Sequence, residues 1–335
     1  MNEVYPGIFL IEEKSGRENY KPSINIYILA GPNGLIFEAG YGDKKSIRKL
    51  IKTVEEIKQH YDSEGKKFHL MGVFPSHNHP DHVSGLKQIR KRLNVKIILS
   101  RKTADFIHDK KSYFRDFSYD NLKDFISLNH RFSSKFFYRL QIHLMKITYR
   151  LFYGLSYIDD PDIIIQNDSE LMINNEKWRI IHSPGHASDH ISLYNEEKGI
   201  LFSGDNIIRA ITTWLGPYDS NIEQYIESIE HIKQLPNLKL ILSAHGDPIE
   251  NPMERMQELI DHRNFRKKQV LDIIKKGSEK GVSLDDVVNR IYPNSKLLKR
   301  SLAGEWIYLT LRMLEKENKI RRMSYKKKTK FRFND

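Results

Sequence analysis

Within the run Ser76-His77-Asn78-His79-Pro80-Asp81-His82, three imidazoles and one carboxylate fall in six positions. Neutral imidazole and ionised carboxylate are ligands that first-row divalent metals accept. A ligating histidine uses one ring nitrogen and leaves the other for a hydrogen-bonding partner. A solvated turn has little reason to gather four such groups, and a core would have to satisfy each of them. Three more candidates lie downstream: His186 in His182-Ser183-Pro184-Gly185-His186, Asp205 in Ser203-Gly204-Asp205, and His245 in Ser243-Ala244-His245-Gly246. The set of seven, His77, His79, Asp81, His82, His186, Asp205 and His245, offers five imidazoles and two carboxylates. That is enough for two metal ions and too much for one. Two ions sharing a water lower its pKa and present hydroxide at neutral pH to an electrophilic carbonyl or phosphorus. Asp81 would bind metal and orient that nucleophile. No Gly-x-Ser-x-Gly elbow competes, so the reaction class is metal-assisted hydrolysis.

The elements that must carry these residues are short strands. Residues 4–10, 24–30 and 34–38 are rich in Val, Ile, Tyr and Phe, with a Gly-Pro-Asn-Gly turn between the last two, which predicts a β meander. Apolar residues at 47, 50, 51, 54 and 57 predict a helix over 45–61. The strand 70–75 ends at the histidine cluster, a helix follows over 83–93, and 95–99 is the next strand. From 163 the strand pattern returns over 170–173, 178–182, 191–194, 200–202 and 238–242, with a helix over 221–235. Each later candidate therefore sits just past a strand, where loops on one sheet edge converge. Between these halves, 102–158 is aromatic and has helical spacing at 136, 137, 140, 144, 147 and 151. It is expected to be a helical insertion serving as a lid, a dimer surface or ordinary packed helices. Meanders and helix-strand alternation together predict a mixed, layered α/β (α+β) fold.

The chain has 335 residues, 39% hydrophobic and 29% charged, as in globular proteins. No apolar run reaches membrane-spanning length. Residues 1–10 lack a basic and then apolar leader pattern, and with no cysteine for disulfides or thiolate ligands the expectation is a cytoplasmic protein. The net charge of +12 is confined to one region. Residues 261–335 hold 21 Lys plus Arg against 9 Asp plus Glu, which is the whole excess. This divides the chain into a catalytic domain over 1–260 and a basic domain over 261–335. Asp261-His262-Arg263-Asn264-Phe265-Arg266 is expected to open a first helix, Val282 to Val288 to carry a second, and 302–317 a third. A hairpin over 320–324 and 330–333 follows, giving the outline of a winged helix with the basic run Lys326-Lys327-Lys328. Such a module favours phosphate-rich partners, including nucleic acid.

The order His-x-His-x-Asp-His, Pro-Gly-His, Ser-Gly-Asp and a late His-Gly resembles the metallo-β-lactamase-fold hydrolases over about residues 1–260. The resemblance implies a four-layer αββα sandwich with a dinuclear site at one edge, usually zinc, with manganese or iron in some members. By motif, His77, His79 and His186 would hold one metal; Asp81, His82 and His245 the other; and Asp205 would bridge them. Gly85 and Gly185 match the family's turn positions, and His190 resembles a position beside the site that is not a ligand. His182 has a structural role by this pattern, and His60, His69, His108, His130, His143, His231 and His262 default to surface or packing. The absence of cysteine and the presence of Asp205 argue against antibiotic hydrolysis. The ligand set resembles the glyoxalase-II-like branch, and His262-Arg263-x-x-Arg266 with Ile291-Tyr292-Pro293 resembles the module of lactamase-β-like type 2 hydrolases. Some of that group cleave single-stranded RNA and others cleave small esters or thioesters. The expectation is therefore a hydrolase of a thioester, ester or lactone in an acyl-bearing small molecule. The alternatives are a metal-dependent endoribonuclease and a weakly active regulatory or scaffold protein, and a homodimer is one arrangement open to it.

Overall fold

Strand β3 (Ile24–Leu29) is buried at every position, and its alternation explains the layering. Tyr27 and Leu29 point to one apolar cluster, and Ile26 and Ile28 to another. A strand with a period of two and no polar face must be covered on both sides. The computed structural model, which describes residues 2–14, 21–128, 135–166, 168–209, 212–326 and 328–334, shows what covers it. His130 and Lys327 lie outside the described residues.

One sheet takes β1 (Glu3–Tyr5), β2 (Ile8–Glu13), β3, β4 (Gly34–Phe37), β5 (Leu70–Phe74), β6 (Lys96–Ser100) and β7 (Ile163–Ile165) in sequence order. It is antiparallel from β1 to β4 and parallel from β4 to β7. The other has the order β12 (Leu240–Ser243), β11 (Ile200–Gly204), β10 (Ile191–Asn195), β9 (Glu176–His182), β8 (Glu170–Ile173), with β11 and β12 parallel. Tyr27, Phe37 and Phe74 of the first sheet meet Trp178, Leu193 and Phe202 of the second in one buried cluster. Helices α1 (Lys44–Ser63), α2 (Pro80–Val83) and α3 (Leu86–Leu93) lie on the first sheet's outer side, where Leu50, Val54 and Ile89 join its outer cluster. On the second sheet's outer side, α8 (Ile222–Lys233) and α9 (Pro252–Lys275) supply Tyr225, Ile229, Met256 and Leu259. The result is the expected αββα stack of helices and sheets.

The insertion holds α4 (Arg101–Ile107), α5 (Lys110–Tyr113), α6 (Tyr119–Leu128), α7 (Lys135–Thr148) and a wider helical turn at Tyr149–Tyr153. Phe136, Leu140, Leu144, Ile147 and Leu151 form its exposed outer stripe. Phe125 and Leu128 of α6 enter the C-terminal core with Val270, Ile307 and Leu311. That core is built by the end of α9, α10 (Leu284–Ile291), α11 (Leu297–Lys316) and the hairpin β13 (Ile320–Tyr325) and β14 (Lys328–Phe333). No helix among the described residues is long and apolar enough to cross a membrane.

Three expected elements differ. The first strand is two, because Gly7 turns the chain between β1 and β2 and its carbonyl accepts from Ala30 N. The helix over 83–93 is broken at Ser84-Gly85, where a Cβ on Gly85 would lie 2.0 Å from the Ala39 carbonyl. The helix expected to open at Asp261 begins nine residues earlier, with Pro252 in its first turn, and runs unbroken across the 260/261 boundary. Pro is preorganised for a first helical turn, and no breaker separates it from Asp261.

Candidate metal centre

The site forms where β5, the β9–β10 loop, β11 and β12 end along one edge of the sandwich. β5 delivers His77 and His79 on an extended loop, and Asp81 and His82 follow on α2. Asn78, between two of the imidazoles, is pinned by donating from Nδ2 to Asp189 Oδ1 at 2.9 Å. Thr103 Oγ1 donates to the other oxygen of Asp189 at 2.8 Å, so α4 braces the loop. Gly185 (φ 141°) lets the next loop lie against α8: a Cβ there would be 2.3 Å from Tyr225 Cα. His186 follows directly. Gly204 (φ 49°) ends β11 in a left-handed turn that only glycine adopts without strain, and Asp205 is the next residue.

All seven candidate side chains meet. His77, His79 and His186 place donor atoms within 4.8 Å of one another, as do His77, His82 and Asp205, and Asp81, His82 and His245. His186 Nε2 is 3.2 Å from His77 Nε2 and 2.9 Å from His79 Nδ1. Asp205 spans the two halves. Its Oδ1 is 3.2 Å from His245 Nε2 and 3.4 Å from His82 Nε2, while Oδ2 is 3.4 Å from His186 Nε2. Asp81 Oδ2 stands 3.6 Å from His245 Nε2.

Four of the five imidazoles have their outer nitrogen occupied. His77 Nδ1 is 2.9 Å from Ser76 Oγ, and His82 Nδ1 is 2.9 Å from Glu38 Oε2. His186 Nδ1 donates to the Trp214 carbonyl at 2.8 Å, and His245 Nδ1 to the Ser23 carbonyl at 2.5 Å. The inner nitrogens are thereby aimed at the common centre, which is how ligating histidines are held. His82 Nε2 and Asp205 Oδ1 are buried and lack a hydrogen-bond partner. Buried polar atoms are otherwise nearly always satisfied. A divalent cation between these donors would satisfy both, so the residues present fit a metal.

The electrostatics divide the cluster in the same way. Burial and the neighbouring imidazoles of His82 and His79 hold His77 well below its ordinary pKa, and burial brings His79 and His186 down to about 4. These three are neutral, with a lone pair available. Burial also opposes charge on His82, but Glu38, Asp205 and Asp81 outweigh it and hold the ring well above the ordinary value. Against the same opposition, Asp205 lifts His245 to about 9. Burial likewise opposes ionisation of Asp205, yet His245 and His82 keep its carboxyl well below the usual range.

The family model described as the Metallo-beta-lactamase superfamily matches residues 23–245, more than half of the chain. The chain belongs to that superfamily. It is 30% identical over 164 residues to a Beta-lactamase-like protein 2 homolog of Caenorhabditis elegans, covering 49% of this chain and 51% of the relative. The chain spans about half the length of the curated relatives it matches. A shorter match, 31% over 93 residues and 28% of each chain, is to an atrochrysone carboxyl ACP thioesterase of Aspergillus fumigatus. The fold matches a metallo-beta-lactamase family protein of Thermus thermophilus at a TM-score of 0.72 and 18% identity, over 99% of this chain and all of the other.

In this metallo-beta-lactamase superfamily member the centre opens into a cavity of about 670 Å³. His79, Asp81, His186, Asp205 and His245 line its floor, and Phe106, Tyr113, Phe117, Tyr149 and Tyr153 of the insertion form an aromatic wall. Trp214 completes the wall, with its ring centroid 5.9 Å from that of His79 and 6.2 Å from that of His186. Its indole Nε1 donates to Glu305 Oε2 of α11 at 2.7 Å, which ties the C-terminal core to the cavity.

His190 lies beside the cluster but turns away: its Nε2 accepts from the backbone N–H of Asp205 at 3.1 Å. His182 Nε2 is 3.2 Å from the Ser188 carbonyl, and among the described residues none of His60, His69, His108, His143, His231 and His262 joins the cluster. Four supporting residues lie outside the set expected from sequence: Glu38, Asp189, Trp214 and Glu305. Glu38 carries a faint signal, being a carboxylate just past an apolar strand, as Asp205 is. The other three carry none.

Proposed function

We propose that the chain is a dinuclear metal-dependent hydrolase that cleaves a thioester, ester or lactone carbonyl in an acyl-bearing small molecule. The observation that carries this reading is the carboxylate of Asp205, which faces imidazoles of both halves within 3.4 Å. His77, His79 and His186 would hold one ion, Asp81, His82 and His245 the second, and Asp205 both. The all-nitrogen-and-oxygen donor set suits zinc, and manganese or iron share such ligands. A pair of divalent ions bound there supplies an acidified water and polarises the substrate's carbonyl oxygen.

The chain's own residues do the rest. Asp81, on the cavity floor, accepts the proton of the attacking water and sets its direction. Asp205 and Glu38 hold the negative charge that balances the centre. The aromatic wall of Tyr113, Tyr149 and Tyr153 excludes water and takes an apolar acyl group. The related fungal protein named as an ACP thioesterase supports the choice of a thioester. The proposal includes a cytoplasmic location, as the cysteine-free sequence suggests.

A second reading, an endoribonuclease acting on single-stranded RNA, is favoured by the positive charge confined to residues 261–335 and their winged-helix outline. A parallel assay on acyl thioesters, lactones and single-stranded RNA separates the two. Chelator-sensitive thioester or lactone hydrolysis, lost in Asp81→Ala, supports the first. RNA cleavage lost in the same variant, with the acyl compounds untouched, supports the second.

A further inference from the structure

The His262-Arg263-x-x-Arg266 run and the Ile291-Tyr292-Pro293 segment are far apart in sequence and meet in space. Arg263 and Arg266 are one turn apart on α9, Tyr292 follows α10, and Lys299 and Trp306 project from α11. With His262 they line a second cavity of about 280 Å³, and among the described residues no carboxylate lines it. Arg263 is only 6% exposed. One of its terminal nitrogens donates to the Thr213 carbonyl and its guanidinium lies 5.3 Å from the Tyr225 ring centre, yet its buried Nε has no hydrogen-bond partner. Arg266 is held by aromatic faces, 5.7 Å from the ring centres of both Tyr292 and Trp306, and Lys299 Nζ is 5.4 Å from the Tyr292 ring. Glu305, the nearby carboxylate on α11, is turned to the Trp214 indole.

Two guanidinium groups and an ammonium gathered round one cavity repel one another, and no acidic side chain among the described residues lines it to neutralise them. Arg263 is buried and Arg266 half-buried, with the exposed Lys299 beside them, and a charge withdrawn from water without a counter-ion is costly, so the arrangement is that of an anion site. Guanidinium forks match the oxygens of phosphate, and three positive charges favour a dianion over a single carboxylate. The cavity is larger than a bare phosphate needs. It shares Thr213, Trp214 and Leu302 with the cavity above the metal ligands, so one elongated molecule could lie in both.

We propose that the Arg263–Arg266–Lys299 cavity binds the phosphate of a small phosphorylated ligand, and that this phosphate belongs to the leaving-group end of the substrate. The second half of this statement rests on the thioester reading above; the first does not. A thioester carrier ending in a phosphorylated nucleotide has both features: a phosphate for this cavity and an acyl group for the aromatic one.

The test uses the full chain loaded with metal. Adenosine 3′,5′-bisphosphate is titrated calorimetrically into the native protein and the Arg266→Gln and Lys299→Gln variants, whose side chains are less buried than Arg263. Loss of a charged hydrogen bond weakens binding on the order of tenfold or more. The expected result is that loss in Arg266→Gln, with metal content and melting temperature unchanged. In parallel, Arg266→Gln should raise KM for acyl-coenzyme A about tenfold relative to the phosphate-free acyl-N-acetylcysteamine. Equal binding to native protein and variants, or none at millimolar bisphosphate, overturns the proposal. So does protection of the cavity by single-stranded RNA and not by the bisphosphate. Bisphosphate binding that depends on Arg266, with neither thioester hydrolysed, leaves the anion site standing and overturns the thioester reading.

Discussion

Glu38 Oε2 lies 2.9 Å from His82 Nδ1, and both side chains are fully buried. The same oxygen accepts from the backbone N–H of Ser76 at 3.2 Å, so one carboxylate fixes both a ring and the start of the histidine loop. Glu38 has a φ of 72°, a conformation that costs a non-glycine residue energy and that the surrounding packing must hold in place. Carboxylates placed behind ligating histidines change metal affinity by roughly ten- to a hundredfold when removed. Glu38→Gln should therefore weaken the second metal position by about that factor. Elemental analysis at limiting zinc should find close to one equivalent; two equivalents of unchanged affinity would remove this role.

Asp205→Asn takes away the carboxylate shared by both halves. On the proposed dinuclear reading, hydrolysis should fall on the order of a hundredfold or more, since the variant would lose a direct ligand. Chelation of the native protein should do likewise and also lower its melting temperature. A ligand at a thousand times its Kd adds about 4 kcal/mol to stability, and removing it leaves seven buried or half-buried donors facing one another. A melting curve indifferent to chelator would contradict this.

Burial raises the Glu305 carboxyl from an ordinary 4.5 to about 7, although Trp214 Nε1 donates to it. Its folded-state pKa is therefore above the unfolded one, and the folded chain holds the extra proton between those values. The associated stability is fully present below about pH 4.5 and is lost as pH rises to about 7. Glu305→Gln keeps an acceptor for Trp214 without the charge, and should be more stable than native protein at pH 8 by on the order of 1–3 kcal/mol. The Trp214 indole N–H resonance should titrate near pH 7 in the native protein and stay constant in the variant.

Gly204→Ala tests the turn that delivers Asp205. A Cβ at that position would lie 2.5 Å from His190 Nε2 and 2.7 Å from Ser76 Oγ, on a backbone with φ of 49°. Both contacts belong to groups that hold candidate ligands, Ser76 at His77 and His190 at Asp205, so there is no flexible chain end to give way. The variant should lose about 2–4 kcal/mol of stability, read from denaturant midpoints, and bind metal more weakly. A stability within about 0.5 kcal/mol of native would show that the loop can move.

The candidate ligands were legible because each follows a short apolar strand, and strand ends along one edge converge. The αββα layering was legible in the same runs: Ile26, Tyr27, Ile28 and Leu29 leave no polar face for water. What escaped were pairings between residues whose sequence contexts give no sign of one another. Trp214 and Glu305 are 91 positions apart, and neither has a sequence context that announces the other. Arg263 and Arg266 belong to a recognisable motif, but only the packing of α10 and α11 against α9 shows that their charges share a cavity. The helix expected to begin at Asp261 starts earlier because the change in charge there is no structural border. Charge composition changes the surface of a helix without ending it.

Helix α9 is 24 residues long, about 36 Å, and each end is embedded in a different core. Met256, Leu259 and Ile260 pack under the second sheet, while Val270 and Ile274 pack with the C-terminal helices. Neither core can melt without fraying the middle of a rod that the other holds straight. Helix formation is cooperative along its length, so heat or urea should meet one transition where the distribution of charge suggests two. For the same reason, the compositional border at 260 is a poor place to cut the gene: a fragment ending there would keep only the first nine of the helix's 24 residues, with none of the C-terminal core that holds the rest.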